Sequence, residues 1–393
     1  MLKEYKLGHG WKVFAIIFSP LLIALFGMLL VMPFIPALND NLSPSILWFS
    51  VPLSLGMMFL GVVTLRDAIK GKFVIDFDRL YNLSTLGNRE LLFTEIKGYR
   101  TDDKYIYIEP NVQHLKKVKV TKYISGAVEI ERWLAERYPD LDQLKAEEEK
   151  EAIFANNDFG FSFEERTVKF NQASSVAKIL NVIGGLTGAW TLFFPNPYKI
   201  ALWCAIAVPL ICIPVIKYYK GLIRIDKRKD SPYPSIFIAF LLPCVAVFLR
   251  ALLDYNIFDH SKIWIPMFVI ALVMTAIVCL KNAELQSGGK KAIGTIVVFT
   301  LFSLAYGFGS IIFLNCYYDQ STPKMFHSKI LSKRIRSGKT TSYYLELEPW
   351  GERKTAEDVD VSKDFYFEVN ESDTVNIYFM KGKFDIPWFE LSK

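Results

Sequence analysis

The stretch VFAIIFSPLLIALFGMLLVMPFI, residues 13–35, contains no charged side chain and is long enough to cross a membrane as a helix. The hydrocarbon core of a bilayer is about 30 Å thick, so roughly 20 apolar residues span it while the helix pairs its own backbone polar groups. Six further stretches are similarly apolar, at residues 46–65, 176–194, 200–216, 236–253, 263–280 and 293–314. The sequence therefore predicts an α-helical transmembrane bundle of seven helices.

The composition agrees with a membrane protein. Hydrophobic residues make up 52% of the chain and charged residues 22%, and the mean hydropathy is +0.24, which is more apolar than a typical soluble protein. The third and fourth stretches are separated only by a short segment around Pro195 and Pro197. A tight helical hairpin is the preferred interpretation there, and a single re-entrant loop is the alternative.

Basic residues predict the orientation, because lysine and arginine near spanning helices are retained in the cytoplasm. Three segments on one side of a seven-pass count carry Lys3, Lys6, Lys12, Lys217, Lys220, Arg224, Lys227, Arg228, Lys229, Lys281, Lys290 and Lys291. The opposite loops hold Asp40, Asp254 and Asp259 with few cations. We expect a multi-pass protein of a bacterial inner (plasma) membrane, with a cytoplasmic N-terminus and an extracytoplasmic C-terminus. The first stretch is too long for a cleaved secretory signal.

The pattern divides the chain into five parts. Residues 1–71 are an N-terminal transmembrane hairpin, 72–142 a cytoplasmic α+β domain, 143–175 a linker helix with a juxtamembrane segment, 176–315 a five-helix transmembrane region, and 316–393 a small extracytoplasmic all-β domain. Residues 163–170 are expected to lie along the membrane surface.

Within residues 72–142, short alternating stretches predict strands at 73–77, 80–86, 91–99, 105–109 and 118–123. A helix is expected to follow with Ser125 as its N-cap. Ile130, Trp133, Leu134 and Tyr138 fall on one face of this helix, which would pack on the sheet.

Two segments of this domain carry a resemblance. The stretch Leu92-Phe93-Thr94-Glu95-Ile96 and the closing Glu131-Arg132-Trp133-Leu134-Ala135-Glu136-Arg137 resemble the bacterial pleckstrin-homology-like (PH-like) domains of membrane proteins of unknown role. The resemblance covers about a fifth of the chain. It implies a binding or assembly module without enzymatic activity.

Four lysines of the same domain are candidate contacts for anionic lipid headgroups: Lys116, Lys117, Lys119 and Lys122. Each such contact contributes about 1 kcal/mol near a charged leaflet. The alternative is a solvated strand edge, where lysines prevent sheets from pairing with one another.

The C-terminal part predicts strands at 326–336, 341–347, 365–369, 374–381 and 386–391. Five short strands in so few residues suggest a small barrel or sandwich that closes on itself. The rings of Tyr343, Tyr344, Trp350 and Trp388 could form a binding surface, but a core position for most of them is the preferred interpretation.

The sequence contains no recognisable catalytic, phosphate-binding or metal-binding motif, so we expect no enzyme, no cofactor and no metal. The spans carry few charges, with Lys178 near the start of the third and Arg250 near the end of the fifth. Gly184 and Gly188 have the small-x-x-x-small spacing of close helix packing.

These observations lead to a hypothesis of function. The protein is expected to be a non-enzymatic assembly, sensing or envelope-maintenance scaffold that links a cytoplasmic module to an external β module. Its expected partners are the lipid bilayer, anionic lipid headgroups and unidentified proteins, and no nucleic acid. A transporter or lipid carrier for an apolar substrate is the alternative, because apolar cargo needs no charged residues within the spans. An enzyme with a site at the membrane surface is a third possibility.

Overall fold

The computed structural model describes residues 2–35, 44–112, 114–280, 282, 285, 289–337 and 341–393. The chain divides into two compact units, Met1–Glu149 with Lys229–Ser231, and Lys150–Arg228 with Pro232–Lys393. The helices are α1 (His9–Val31), α2 (Pro44–Lys70), α3 (Ala127–Ala135), α4 (Leu141–Ala155), α5 (Phe163–Phe193), α6 (Tyr198–Tyr218), α7 (Phe237–Asp254), α8 (Trp264–Cys279), α9 (Lys290–Tyr317) and α10 (Lys363–Glu368).

Six helices in the described part of the chain are long and apolar enough to cross a membrane: α1, α2, α5, α6, α7 and α9. They indicate a multi-pass membrane protein. Helix α8 lies in the predicted stretch at 263–280 and is equally apolar, but it has only 16 residues. Its length is therefore about 24 Å at 1.5 Å per residue.

Two antiparallel sheets and α3 form what we call the N-terminal β domain, in the first unit. The first sheet has the order β1 (Lys3–Lys6), β2 (Lys72–Ile75), β3 (Arg79–Leu83), β4 (Arg89–Leu92). The second sheet has the order β5 (Ile96–Thr101), β6 (Tyr105–Pro110), β7 (Val118–Thr121). Their shared core contains fully buried Phe73, Leu80, Ile106, Ile130 and Leu134, so the apolar face predicted for α3 lies against the sheets.

Strand β1 precedes the first apolar helix, yet it pairs with β2, which follows the second. Tyr5 opposes Phe73 and Lys6 opposes Lys72. The Lys72 ammonium lies 2.5 Å from the Glu4 carboxylate, and this hydrogen bond lowers the pKa of Glu4. Helices α1 and α2 are therefore inserted between two neighbouring strands of one sheet. Sequence reasoning missed β1 and placed the start of this domain at residue 72.

The pairing of β1 with β2 predicts that a two-residue Asn-Gly turn can replace residues 7–71. Such a turn matches the twist of two antiparallel strands. The resulting chain, residues 2–6 joined through Asn-Gly to 72–149, is expected to be a soluble monomer with a cooperative thermal transition.

Residues 72–149 without β1 are the matched control. They lose Tyr5, whose side chain is only 6% exposed, and they leave β2 as an open edge. We expect aggregation or a transition lowered by about 15 °C, since loss of a buried aromatic ring costs about 3 kcal/mol or more. Circular dichroism and size-exclusion chromatography compare the two chains. Equal melting temperatures would show that β1 adds nothing to the domain.

The strand predicted at 91–99 is wrong as a single element. Strand β4 ends at Leu92, a 3-10 turn covers Phe93–Glu95, and β5 begins at Ile96. The Glu95 carboxylate accepts a hydrogen bond of 2.9 Å from the backbone amide of Leu92 and closes the turn. The chain passes from one sheet to the other at this point, so two strands replace the predicted one.

The N-cap predicted at Ser125 is also wrong. Gly126 occupies the position before α3, with a φ of 75° that favours glycine. The Ser125 hydroxyl instead donates to the carbonyl of Lys6 at 3.0 Å. Its role is to join the start of α3 to β1.

Helix α5 begins before the third predicted span. The hydroxyl of Ser162 accepts a hydrogen bond of 3.1 Å from the amide of Glu165, and together they form a capping box. Residues 163–170 therefore belong to the same continuous helix as the span. The prediction that they lie along the membrane surface before the helix is wrong.

Side-chain contacts define two ends of the bundle formed by α5 to α9. At one end, Arg250 of α7 donates to the carbonyls of Thr191 and Leu192 in α5, at 2.7 and 2.6 Å. The Tyr198 hydroxyl at the start of α6 donates to Asp254 at 2.9 Å at the same end. At the other end, Lys217 in the last turn of α6 donates to the carbonyl of Leu280, directly after α8.

The C-terminal sheet, also in the second unit, has six strands. Its order is β11 (Glu357–Val361), β10 (Thr341–Leu347), β9 (Lys324–Ser337), β12 (Thr374–Met380), β13 (Trp388–Ser392), β8 (Asn256–Ile257). Its core includes Trp350 and Phe389, and Trp388 is buried against the helices. The ordering has two ends, so the predicted closure into a barrel or sandwich is wrong for the described strands.

The strand predicted at 365–369 is wrong as well. These residues lie mostly in α10, because the Ser362 hydroxyl accepts a hydrogen bond of 3.2 Å from the amide of Phe365 and caps the helix. Strands β11 and β8 were not predicted. Strand β8 comes from the loop between α7 and α8, so the bundle itself supplies the last strand of the C-terminal sheet.

Candidate functional site: a basic rim and a helix-to-sheet junction

Strand β7 passes the end of the first sheet at which α1 and α2 are attached. Three hydrogen bonds fix it there: Arg89 Nη1 to Lys117 O (3.1 Å), Asn82 Nδ2 to Lys119 O (2.9 Å) and Gly8 N to Tyr123 O (2.9 Å). The segment thus passes β4, β3 and the start of α1 in turn. Its inward side chains, Val118 and Val120, are buried, and its lysines alternate with them on the outer face.

Both helices of the inserted pair are anchored at this end of the domain. The ring of Trp11 in α1 lies 4.4 Å from the ring of Tyr123. The Asp67 carboxylate of α2 accepts two hydrogen bonds of 2.6 Å from Thr85, one from its amide and one from its hydroxyl. We call the surface around these two anchoring points the basic rim. It lies where the apolar helices leave the domain.

The basic rim concentrates positive charge. Its cations are Lys6, Lys12, Arg66, Lys70, Arg89, Lys116, Lys117, Lys119 and Lys122. Two nearby carboxylates are already paired, Glu4 with Lys72 at 2.5 Å and Glu131 with Lys122 at 2.7 Å. Such a surface attracts anions. Salt weakens this attraction, because exposed charges are screened over about 8–10 Å.

The four predicted lysines all lie on this rim but differ in their contacts. Lys122 is paired with Glu131, so its charge is locally balanced. Lys119 lies 3.5 Å from the centre of the Tyr105 ring, and Lys117 lies 4.9 Å from that of Tyr107. Lys116 is exposed. Contact with anionic lipid stays a prediction for this set. Sequence reasoning missed Arg66 and Lys70, which follow the second predicted span.

Gly184 and Gly188 lie on α5 against α7. A Cβ atom on Gly184 would lie 2.9 Å from the carbonyl oxygen of Ala239 and closer still to its Cα. One on Gly188 would lie 2.8 Å from the Cβ of Leu242. Asn181, one turn earlier, donates to the carbonyl of Ser235 at 2.6 Å and accepts from the amide of Ala239 at 2.9 Å. The polar residue in this span therefore caps the neighbouring helix.

The second feature is the junction between α9 and the C-terminal sheet. Asn315 is fully buried, donates to the carbonyl of Ile386 at 2.8 Å and accepts from the amide of Phe384 at 2.9 Å. Strand β13 pairs with β8 through Trp388 opposite Ile257. The sheet is thus attached at the end of α9 and also at the loop between α7 and α8.

Asp319 completes this junction just beyond α9. It accepts hydrogen bonds from the amide of Gly382 at 2.8 Å and from the indole of Trp388 at 2.9 Å. Burial alone raises the pKa of Asp319, but hydrogen bonds from Ser321 and Trp388 outweigh it, so the pKa lies below its ordinary value. The carboxylate is therefore charged at neutral pH and holds the sheet against the helix end.

Within the residues that the structure describes, no group of three or more His, Cys, Asp or Glu side chains is arranged to hold a metal ion. Comparison with protein families, with curated proteins and with solved structures finds no match to this chain. The rim and the junction are consequently interpreted from their own chemistry, as an anion-attracting surface and as a rigid attachment.

Proposed function

We propose that the protein is a non-enzymatic membrane scaffold that links a cytoplasmic module to an external β module through a bundle of helices. The observation that carries this proposal is the pairing of β13 with β8, which makes the C-terminal sheet continuous with a loop of the bundle. A displacement of the ends of α7 and α8 is therefore expected to move the sheet as well. The hydrogen bonds of Asn315 and Asp319 add a second attachment.

Counting crossings supports seven spans. Since β8 and β13 are paired, the loop between α7 and α8 lies on the same side as the C-terminal sheet, and α8 and α9 must together make an even number of crossings. Helix α9 is a candidate span, and we therefore propose that α8 crosses as well. The contact of Lys217 with Leu280 supports this, because it joins the end of α8 to the end of α6.

The same counting supports the proposed orientation. Helices α1 and α2 return to one sheet and contribute two crossings, and α5 to α9 contribute five. With an odd total, the N-terminal β domain and the C-terminal sheet face different compartments. The basic rim and the lysine-rich loop after α6 favour the cytoplasm of a bacterial inner membrane for the first of them.

The PH-like assignment of the N-terminal β domain is part of this proposal. Two antiparallel sheets closed by the amphipathic helix α3 fit that architecture. The four lysines of β7 and its flanks are proposed to contact anionic lipid headgroups, since the strand lies where α1 and α2 leave the domain.

The polar side chains of the bundle support a scaffold over a transporter of polar solutes. Asn181 caps α7, and Arg250 is engaged by two carbonyls of α5 and by Asp254 at 3.2 Å. Both are committed to contacts between helices. A carrier of apolar cargo would not need them, so a direct assay must separate the two functions.

The test combines reconstitution with crosslinking. Purified full-length protein in liposomes is expected to give no lipid scrambling and no solute uptake beyond protein-free vesicles. In cells, photocrosslinking residues at Lys104 and at Thr355, both exposed, are expected to capture stable partners on the two modules. Replacing Asn315 by leucine removes one of the contacts that hold the sheet to α9 and should reduce capture at Thr355.

A matched control for that variant is Asn376→Leu, which changes the same residue type within the sheet but far in sequence from the junction. Capture at Thr355 should survive it. Scrambling or uptake that exceeds empty vesicles and is lost when the bundle is unfolded would instead establish the carrier function and refute the scaffold.

A further inference from the structure

A polar cavity of about 410 Å³ lies at the foot of α2, in the basic rim. It is formed where the last turns of the helix meet the loop between β3 and β4. Its lining includes Arg66, Asp67 and Lys70 from the helix, and Thr85, Gly87 and Asn88 from the loop. No part of the scaffold role requires this cavity.

The cavity has unbalanced positive charge. Arg66 and Lys70 are exposed, lie one helical turn apart, and form no ion pair with any residue in the described ranges. The one carboxylate of the lining, Asp67, already accepts two hydrogen bonds from Thr85. Thr85 thus directs Asp67 towards the loop, and two cations remain available to an anion.

The position of the cavity matches the headgroup level of a bilayer. Helix α2 is a candidate span that ends at Lys70, so its last turns lie at the boundary between apolar and aqueous surroundings. Two exposed apolar side chains are sequence neighbours of lining residues, Ile69 at 55% exposure and Leu86 at 72%. Leu86 sits at the tip of a polar loop, where an apolar side chain suits contact with acyl chains.

We propose that this cavity binds a phosphate group, in the first place that of an anionic phospholipid. The guanidinium of Arg66 can hold two phosphate oxygens with parallel hydrogen bonds, and the ammonium of Lys70 supplies a second charge. The structural alternative is that both cations only offset the negative end of the α2 dipole and extend their head groups towards water. That role requires no ligand. The proposal goes beyond the scaffold function and does not depend on it.

The test uses full-length protein in a neutral detergent and dioctanoyl phosphatidylglycerol as the probe, with binding followed by native mass spectrometry. The Arg66→Gln/Lys70→Gln variant is expected to bind it about thirtyfold more weakly than the unaltered protein, from the loss of two charge contacts. Lys97→Gln/Lys104→Gln is the control, because it removes the same charge from exposed positions outside the cavity. It should bind as the unaltered protein does.

Two further arms identify the source of the phosphate. Dioctanoyl phosphatidylcholine should bind at least tenfold more weakly than the anionic lipid. Competition by millimolar inorganic phosphate would support phosphate binding in the cavity, and it would identify free phosphate rather than a lipid as the ligand. Equal affinity of the cavity variant and the control for every probe would overturn the proposal.

Photolabelling with a photoreactive phosphatidylglycerol is the second test, and it does not depend on the folding of the double variant. Applied to the unaltered protein, it should label peptides that contain residues 66–70 and 84–88. Labelling confined to other parts of the chain would exclude the cavity as the binding site.

Discussion

Replacing Gly184 by leucine is expected to separate α5 from α7 and to destabilise the bundle severely. The added Cβ alone would clash with Ala239, whose carbonyl oxygen lies 2.9 Å away and whose Cα is nearer still. Because these are backbone atoms, no side-chain rotation relieves the overlap. Separating the helices would also break the hydrogen bonds that Asn181 makes to Ser235 and Ala239. Overpacking costs about 1–3 kcal/mol, and a clash with backbone atoms is expected to lie at the upper end, so the melting temperature should fall by about 10 °C.

Gly185→Leu provides the matched control on the same helix. The nearest atom to a Cβ at this position is a side-chain carbon of Ile238, at 3.8 Å, which is ordinary contact. Leucine also favours a helix more than glycine does. The control is therefore expected to melt within about 2 °C of the unaltered protein.

A thiol-reactive fluorophore measures this difference in detergent. It reports unfolding because Cys212 and Cys244 are fully buried in the bundle core. If Gly184→Leu and Gly185→Leu melted at the same temperature, the close approach of α5 to α7 would be incorrect.

Much of the helical architecture could be predicted from the sequence, because lipid requires long uncharged stretches that are visible without any partner. Six of the seven predicted stretches correspond to helices that meet the length for a span. The remaining stretch, at 263–280, contains α8, whose 16 residues fall short of that length. Its crossing becomes arguable only through β8, a two-residue strand that the sequence gives no reason to expect.

The strands show why local sequence patterns predict only part of the fold. Strand β1 is the polar segment Lys-Glu-Tyr-Lys, with one inward ring, and its partner β2 lies beyond two spans. Nothing near β1 in the sequence indicates that pairing. At 365–369 the sequence suggested a strand, but the cap from Ser362 begins a short helix at Lys363 instead.

The candidate site was predictable in part. The lysines of β7 form a visible group, because they are close together in sequence. Arg66 and Lys70 could be assigned to the same rim only once Asp67 was seen to hold the loop at Thr85. The junction was invisible for a similar reason, since Asn315 and Asp319 bond to residues about 70 positions further along the chain.

The central proposal is that the N-terminal β domain and the C-terminal sheet lie on opposite sides of the membrane. Single cysteines test it in full-length protein whose five native cysteines, Cys204, Cys212, Cys244, Cys279 and Cys316, are replaced by alanine. The reporter positions are exposed: Lys97→Cys and Lys227→Cys on the proposed cytoplasmic side, and Lys262→Cys and Thr355→Cys on the proposed external side.

A membrane-impermeant maleimide applied to spheroplasts gives the decisive measurement. Lys262→Cys and Thr355→Cys should be labelled in intact spheroplasts, and Lys97→Cys and Lys227→Cys only after the membrane is permeabilised. Labelling of Lys97→Cys and Thr355→Cys under the same condition would place both β modules in one compartment and contradict the bridging scaffold.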